Sequence, residues 1–291
     1  MVRRIMNYRH LYHAGNFADV VKHAVTALIV EYLKKKDAPF TVIDTHAGIG
    51  RYDLSSVQAN KTGEWQEGIG RIWADPAPHD LLAPWLGAVR AMNPDGNLRW
   101  YPGSPRLIRH LLRRGDRLMA VELHPEDAAT LQADFAGDPR TRVYDLDGFT
   151  ALPGFVPPKE KRGLVLMDPA FEATDDFTRA ARVLADAWKK WPGGIYAMWY
   201  PIKLLAEVQA FHDAVKDSGV RKVLVAELTV RPGDNTVKLM GSGMLIVNPP
   251  WGLEGQLRDL LPWLQQKLER SAGGGLRIEW LVPETSDRPE S

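Results

Sequence analysis

The chain contains no cysteine. That excludes disulfides, thiolate nucleophiles and cysteine-ligated zinc, and it fits a reducing compartment. No apolar run approaches the roughly 20 residues needed to span a bilayer. The opening MVRRIMNYRHLYHAG is basic but lacks the apolar stretch of a secretory signal. The expectation is a cytoplasmic protein with no membrane segment. Internal repeats and low-complexity tracts are absent, which excludes a repeat architecture. Strong overall charge is missing too: the formal net charge is +1, which argues against a protein that coats nucleic acid generally.

What is present is enough apolar material for a full core, 45% of 291 residues. The charge is also unevenly placed. Up to Lys36 there are seven basic residues (Arg3, Arg4, Arg9, Lys22, Lys34, Lys35, Lys36) against two acidic ones, Asp19 and Glu31. A second basic group is Arg106, Arg109, Arg113, Arg114 and Arg117. Local basic faces on a near-neutral protein suit a polyanion held at one site; solvated helix faces are the alternative for each cluster. The closing PETSDRPES leans acidic and reads as a frayed tail.

Periodicity predicts a helix over 16–35, capped by Asn16, and then a short buried strand, FTVID, at 40–44. Residues 52–101, rich in Pro and Trp, carry no clean strand pattern and read as a helical insertion. The core is then expected to comprise 1–51 and 102–291. In that second part, helix 104–114 precedes strand 117–122, and helix 124–135 precedes strand 142–147. Strand 163–168 follows, then helix 175–191, strand 194–200, helix 204–219 and strand 221–230. A last strand, 241–248, closes the sheet, as a hairpin with the strand before it. Alternating strands and helices imply an α/β fold, a doubly wound and mostly parallel sheet of Rossmann type. Right-handed crossovers put the parallel strands' C-terminal ends along one edge, where ligands bind near the switch point.

The residues just past the strands therefore carry the functional argument. They are Asp44-Thr45-His46-Ala47-Gly48-Ile49-Gly50, Glu122, Asp147-Gly148, and Asp168-Pro169-Ala170-Phe171. Four acids end four strands. The turn DTHAGIG lacks both the full G-x-G-x-x-G spacing and the Lys-Ser/Thr of a P-loop, so a pyrophosphate cradle is not favoured. It fits a ligand with an amino-acid end and no phosphate. Glu122 sits where a carboxylate accepts hydrogen bonds from two ribose hydroxyls, and Asp147 would face an adenine edge. An adenosyl group bearing an amino acid and no phosphate is S-adenosylmethionine.

The run VLMDPAFE then has a chemical reading. An adenine amine is a poor nucleophile because its lone pair is delocalised into the ring. The Asp168 carboxylate and the Pro169 carbonyl can each accept one amine hydrogen, favouring a pyramidal nitrogen aimed at a methyl group. Phe171 can stack on the base. The Asp168 carboxylate takes the proton once methyl transfer makes the nitrogen cationic.

These residues bring in a resemblance. The blocks YRHLYHAGNFADVVKH, DTHAGIGRY, KTGEWQEGIGRIW, YPGSPRL, VELHP, DGF, MDPAF, AMWYP, GSGMLIVNPPW and LPWL resemble the ribosomal RNA large subunit methyltransferase J family over nearly the whole chain. That family methylates an adenine 6-amino group in 23S ribosomal RNA. The resemblance implies a Rossmann-like methyltransferase core with a small helical insertion. It implies S-adenosylmethionine contacts from His23, His46, Gly48, Ser104, Glu122, Asp147, Gly148 and Asp168. Catalytic roles fall to Asp168, Pro169 and Phe171. Tyr8, Arg9 and Lys22 are expected on the side of the substrate RNA, with Lys22 helping to shape the pocket. One departure stands out: the usual Asp-Pro-Pro-Tyr is Asp-Pro-Ala-Phe here, which gives up some rigidity and a hydroxyl.

Simpler readings compete for several residues. His10 and His13 have an H-x-x-H spacing without further ligands, so no metal is expected and a basic arm on RNA phosphate is preferred. His46 can pack under the glycine turn. His23 can be a satisfied core histidine. Ser104 can be the N-cap of a helix starting at Pro105. Trp199-Tyr200-Pro201 and Asn248-Pro249-Pro250-Trp251 follow late strands and are candidates to line the RNA side. The target strand is expected across the N-terminal arm and the Arg106–Arg117 helix. A monomer is expected. The alternatives in function are a DNA adenine methyltransferase and a non-catalytic RNA-binding protein on a methyltransferase fold.

Overall fold

Five apolar runs lie side by side and parallel, and the chain's tail completes the sheet in a different sense. The structure is a computed structural model that describes residues 10–172, 175–233 and 238–284. Tyr8, Arg9 and the acidic tail 285–291 lie outside the described residues. The strands are β1 (Thr41–Asp44), β2 (Arg51–Asp53), β3 (Trp100–Pro102), β4 (Arg117–Glu122), β5 (Thr141–Asp145), β6 (Gly163–Met167), β7 (Ile195–Ile202), β8 (Val223–Thr229), β9 (Gly241–Val247) and β10 (Gly275–Val282). The eight-stranded sheet has the order β10-β8-β9-β7-β6-β1-β4-β5. The pairs β5–β4, β4–β1, β1–β6 and β6–β7 are parallel, whereas β7–β9, β9–β8 and β8–β10 are antiparallel.

The helices are α1 (Phe17–Lys34), α2 (Val57–Thr62), α3 (Ile69–Trp73), α4 (Ala83–Met92), α5 (Ser104–Leu111), α6 (Pro125–Asp134), α7 (Gly148–Phe155), α8 (Asp176–Lys190), α9 (Leu205–Asp217) and α10 (Leu253–Leu268). β6 is buried at every residue because both of its faces are covered. Leu164 and Leu166 enter one cluster with α1, α5 and α10; Val165 and Met167 enter the other with α8 and α9. α1 is buried over nearly its whole length, since the sheet lies on one side of it and the segment between β2 and β3 on the other. Asn16 caps it by accepting from the Asp19 N–H at 3.0 Å, as its sequence position predicts.

Three expectations need correction. The segment 52–101 is not free of strand: Tyr52 pairs with Tyr101 in a two-stranded ribbon, β2–β3, at its neck. Three residues per strand are too few to leave a legible alternation. β9 does form a hairpin with β8, but it does not close the sheet. It inserts between β7 and β8, and β10 forms the edge. Finally, Asn248–Trp251 does not share an edge with the other strand ends. β9 runs against β7, so Asn248 sits at the start of β7 and β8, donating to Pro192 O and Gly194 O at 2.7 Å each.

Candidate active site

The chain winds from β1 through β4 to β5 on one side and from β6 to β7 on the other, so β1 and β6 flank the switch point. A cavity opens there. His23, His46, Gly48, Ser104, Glu122, Asp147, Gly148, Asp168 and Pro169 all line it, together with Lys22 and Ala170.

One wall is the glycine turn. Gly48 has a left-handed backbone (φ +63°), and its N–H donates to Glu122 Oε2 at 2.8 Å. The other Glu122 oxygen accepts from the His124 N–H at 2.8 Å. Burial raises the Glu122 pKa, and these two N–H groups oppose the rise. Each oxygen keeps a lone pair for a further donor. Thr45 ties the turn to β6, with Oγ1 donating to Leu166 O at 3.1 Å, and it meets His46 Nδ1 at 2.8 Å. The His46 ring also packs edge-on against Phe149. Burial lowers its pKa to about 4, so the imidazole is neutral near pH 7.

The second wall is the start of α7. Asp147 caps it by accepting from the Thr150 N–H at 3.0 Å, and its other oxygen accepts from Arg179 at 2.8 Å. Although burial opposes this, Arg179 holds the Asp147 carboxylate below its ordinary pKa. Gly148 is required sterically. A side-chain carbon there would lie 1.9 Å from the Thr45 carbonyl oxygen.

The third group is acidic and paired. The Lys22 ammonium forms ion pairs with Asp168 and, at 2.7 Å, with Asp19. Asp19 is anchored in turn by the Gly15 N–H at 2.8 Å and by His10 Nε2 at 2.9 Å. Burial opposes the Lys22 charge, yet Asp168 and Asp19 outweigh it and raise its pKa. Lys22 thus delivers a fixed cation to Asp168. It is only 3% exposed, so it is reached from inside the cavity, not from a surface that meets phosphates. His23 bonds the Tyr101 hydroxyl at 2.8 Å, and burial brings its pKa to about 3. It is therefore a neutral histidine that both satisfies the core and lines the cavity.

Asp44 lies beneath. It is fully buried, and neither carboxylate oxygen has a hydrogen-bond partner of good geometry. Burial pushes its pKa up to about 7, although the Ser104 hydroxyl and Lys22 oppose the shift. Ser104 is not the N-cap. Gly103 occupies that position and Ser104 opens the helix, with no side-chain capping bond at this terminus. Ser104 lines the cavity.

Phe171 departs from expectation. Its ring is 7% exposed and packs on Phe177, with ring centres 4.5 Å apart, and on Trp199. Pro169 and Ala170 line the cavity and Phe171 does not. Its backbone is left-handed (φ +49°), a strained conformation for an aromatic residue that costs about 1–2 kcal/mol. The ring joins the core.

The expected phosphate-binding groups are largely committed elsewhere. Arg106 pairs with Asp134, Arg109 with Asp138 and Arg113 with Asp116. Against the effect of burial, Arg109 holds Asp138 at a pKa of about 2. His10 and His13 bond Asp19 and Glu64, so neither is a free arm. Among the described residues, no group of three or more His, Asp or Glu is arranged to hold a metal, and no helix is long and apolar enough to cross a membrane. Two contributors were missed from sequence. Asp19, three residues before Lys22, offered an i,i+3 signal; Arg179, 32 residues beyond Asp147, offered none.

The family described as ribosomal RNA large subunit methyltransferase D, RlmJ, matches residues 37–282. The chain is 45% identical to ribosomal RNA large subunit methyltransferase J of Escherichia coli (strain K12), and 41% identical to ribosomal RNA large subunit methyltransferase J of Haemophilus influenzae. Each alignment runs over 281 residues and covers 96% of this chain and 100% of the relative. A crystal structure of a Legionella pneumophila protein superposes with a TM-score of 0.85 at 31% identity, over 92% of this chain and 98% of that one.

Proposed function

The chain belongs to the ribosomal RNA large subunit methyltransferase D, RlmJ family, and from that premise we propose that it methylates the 6-amino group of a specific adenine in 23S ribosomal RNA with S-adenosylmethionine as donor. The observation that carries this reading is that Asp168 and Pro169 line the same cavity as Glu122 and the Gly48 turn. A base amine and an adenosyl ligand would then share one chamber.

The donor set fits that cofactor. Glu122 has lone pairs left for a ribose diol, and the lining carboxylates Glu122, Asp127, Asp147 and Asp168 outnumber the lining cations Lys22 and Arg179, which suits a cationic ligand without a phosphate. His23, His46, Gly48, Ser104, Glu122, Asp147, Gly148 and Asp168 would hold it. When bound, S-adenosylmethionine supplies an electrophilic methyl group. This chain's own residues do the rest. Asp168 and the Pro169 carbonyl accept the two amine hydrogens and orient the nitrogen; Asp168 then receives the proton at a carboxylate oxygen. Lys22 keeps that carboxylate in place. Positioning and acid–base action of this kind are worth roughly two to four decades in rate. Phe171 supports the base indirectly, through the packing behind Ala170. Tyr8 and Arg9 remain proposed RNA contacts.

We further propose an insertion subdomain at 52–101 with the β2–β3 ribbon as its neck, a monomer as the working unit, and the cytoplasm as its compartment. Methyl transfer from labelled S-adenosylmethionine to unmodified 23S ribosomal RNA tests the main proposal. Methyladenine in the RNA is the expected product. Label confined to DNA, to another base or to protein rejects it, and tight cofactor binding without turnover on any nucleic acid would mark a non-catalytic binder.

A further inference from the structure

We infer that the outward face of the β2–β3 ribbon is a second RNA contact, gripping unpaired nucleotides beside the target adenine through Arg51 and Trp100. This rests on the proposed RNA substrate. The ribbon springs from the glycine turn, and strand alternation divides its faces. Tyr52 points inward and lines the cavity; its neighbour Arg51 is exposed. The Arg51 guanidinium lies 4.6 Å from the centre of the half-buried Trp100 ring, and Arg99 lies 4.8 Å from the same ring. Asp53 pairs with Arg99. Among the described residues Arg51 forms no ion pair, so the cluster keeps one uncompensated positive charge.

Two cations against one ring repel each other, and salt screens them only in part. The Trp100 face offsets that repulsion. A ribbon of three residues per strand has no need of such a stack to fill a core, since the cluster is on its solvent side. A charge without a partner beside a flat aromatic group suits a phosphate and an unstacked base. Lys61 makes a like pair, 5.9 Å from the Tyr12 ring, and Tyr12 is two residues from the cavity-lining His10, whose ring lies 5.1 Å from that of Tyr52 in the ribbon. An adenine that leaves its stack to reach Asp168 strips its neighbours of stacking too. The ribbon offers those neighbours a replacement surface on the face opposite Tyr52, one residue from the cavity lining.

The test uses the full-length protein, an unmodified ribosomal RNA fragment carrying the target adenine, and binding measured across a salt series. Arg51→Gln should weaken binding about tenfold and reduce the salt slope by about 0.7, as expected for one lost single-strand phosphate contact. Its KM for RNA should rise by a similar factor with kcat and cofactor affinity unchanged. Arg51→Lys should keep the slope and recover only part of the affinity, because an ammonium does not stack as a planar guanidinium does. If Arg51→Gln binds with wild-type affinity and slope while the wild type methylates the RNA, this inference alone is overturned. If the wild type neither binds nor methylates RNA, the proposed function falls with it.

Discussion

Lys22 and Asp168 meet as an ion pair at the cavity wall, and the same buried ammonium lies 2.7 Å from Asp19. One cation thereby serves two carboxylates, one held by the N-terminal turn and one at the cavity wall. The position of the Asp168 carboxylate is thus set by an element more than a hundred residues away in the chain.

Removing that cation should cost stability as well as turnover. Lys22→Met takes the shared cation from the buried Asp19 and the half-buried Asp168, leaving Asp19 only the Gly15 N–H and His10, and about 3–5 kcal/mol of destabilisation is expected in denaturant unfolding. Adding Asp19→Asn should restore part of the stability without restoring methyl transfer. Equal stability of Lys22→Met and wild type would contradict the pairing.

Gly148 and Gly154 make a matched test on one helix. At Gly148 a new side-chain carbon would strike the Thr45 carbonyl oxygen, backbone against backbone. Gly148→Ala should therefore lose about 1–3 kcal/mol or more, and cofactor affinity with it. Around Gly154 nothing lies within 4 Å, so Gly154→Ala should be neutral or slightly stabilising. Thermal melts and cofactor titration of the two variants check both statements.

Asp44 predicts a pH dependence. Its folded pKa of about 7 lies above its ordinary value, so between about pH 4 and 7 the folded state binds more protons than the unfolded state. Stability should fall as pH rises through that window. Asp44→Asn, which cannot ionise, should flatten the slope; melting curves from pH 4 to 8 would expose an unchanged slope.

Phe171→Ala separates core packing from base stacking. A ring packed on Phe177 and Trp199 predicts a loss of about 3–5 kcal/mol in unfolding free energy. The KM for RNA should move little at a temperature where the variant is folded. A stable variant with a large rise in KM would put the ring back on the base.

Much of the parallel half was legible because each apolar run stops at an acid. Asp44, Glu122 and Asp168 mark their strand ends in the sequence as they do in space. The antiparallel half was not. Asn248–Trp251 looks like another strand end, and only the direction of β9 moves it to the far edge. β10 is a half-exposed edge strand whose pattern is weak, and α10, though its leucines recur at helical spacing, went unassigned. The arginines of α5 look like a free basic face in the sequence, which counts charges but does not show partners. Asp134 and Asp138, 28 and 29 residues away, neutralise two of them. Phe171 packs on Phe177 and Trp199, a placement that nothing in Asp-Pro-Ala-Phe announces.

The role of Asp168 is tested most directly by Asp168→Asn in a single-turnover methyl-transfer assay on unmodified 23S ribosomal RNA, with cofactor affinity measured on the same preparation. The amide keeps the shape of the carboxylate but neither accepts the proton nor pairs with Lys22. Turnover should drop by about two to four decades while cofactor affinity stays within a few-fold of wild type. A variant that methylates at the wild-type rate would contradict the account.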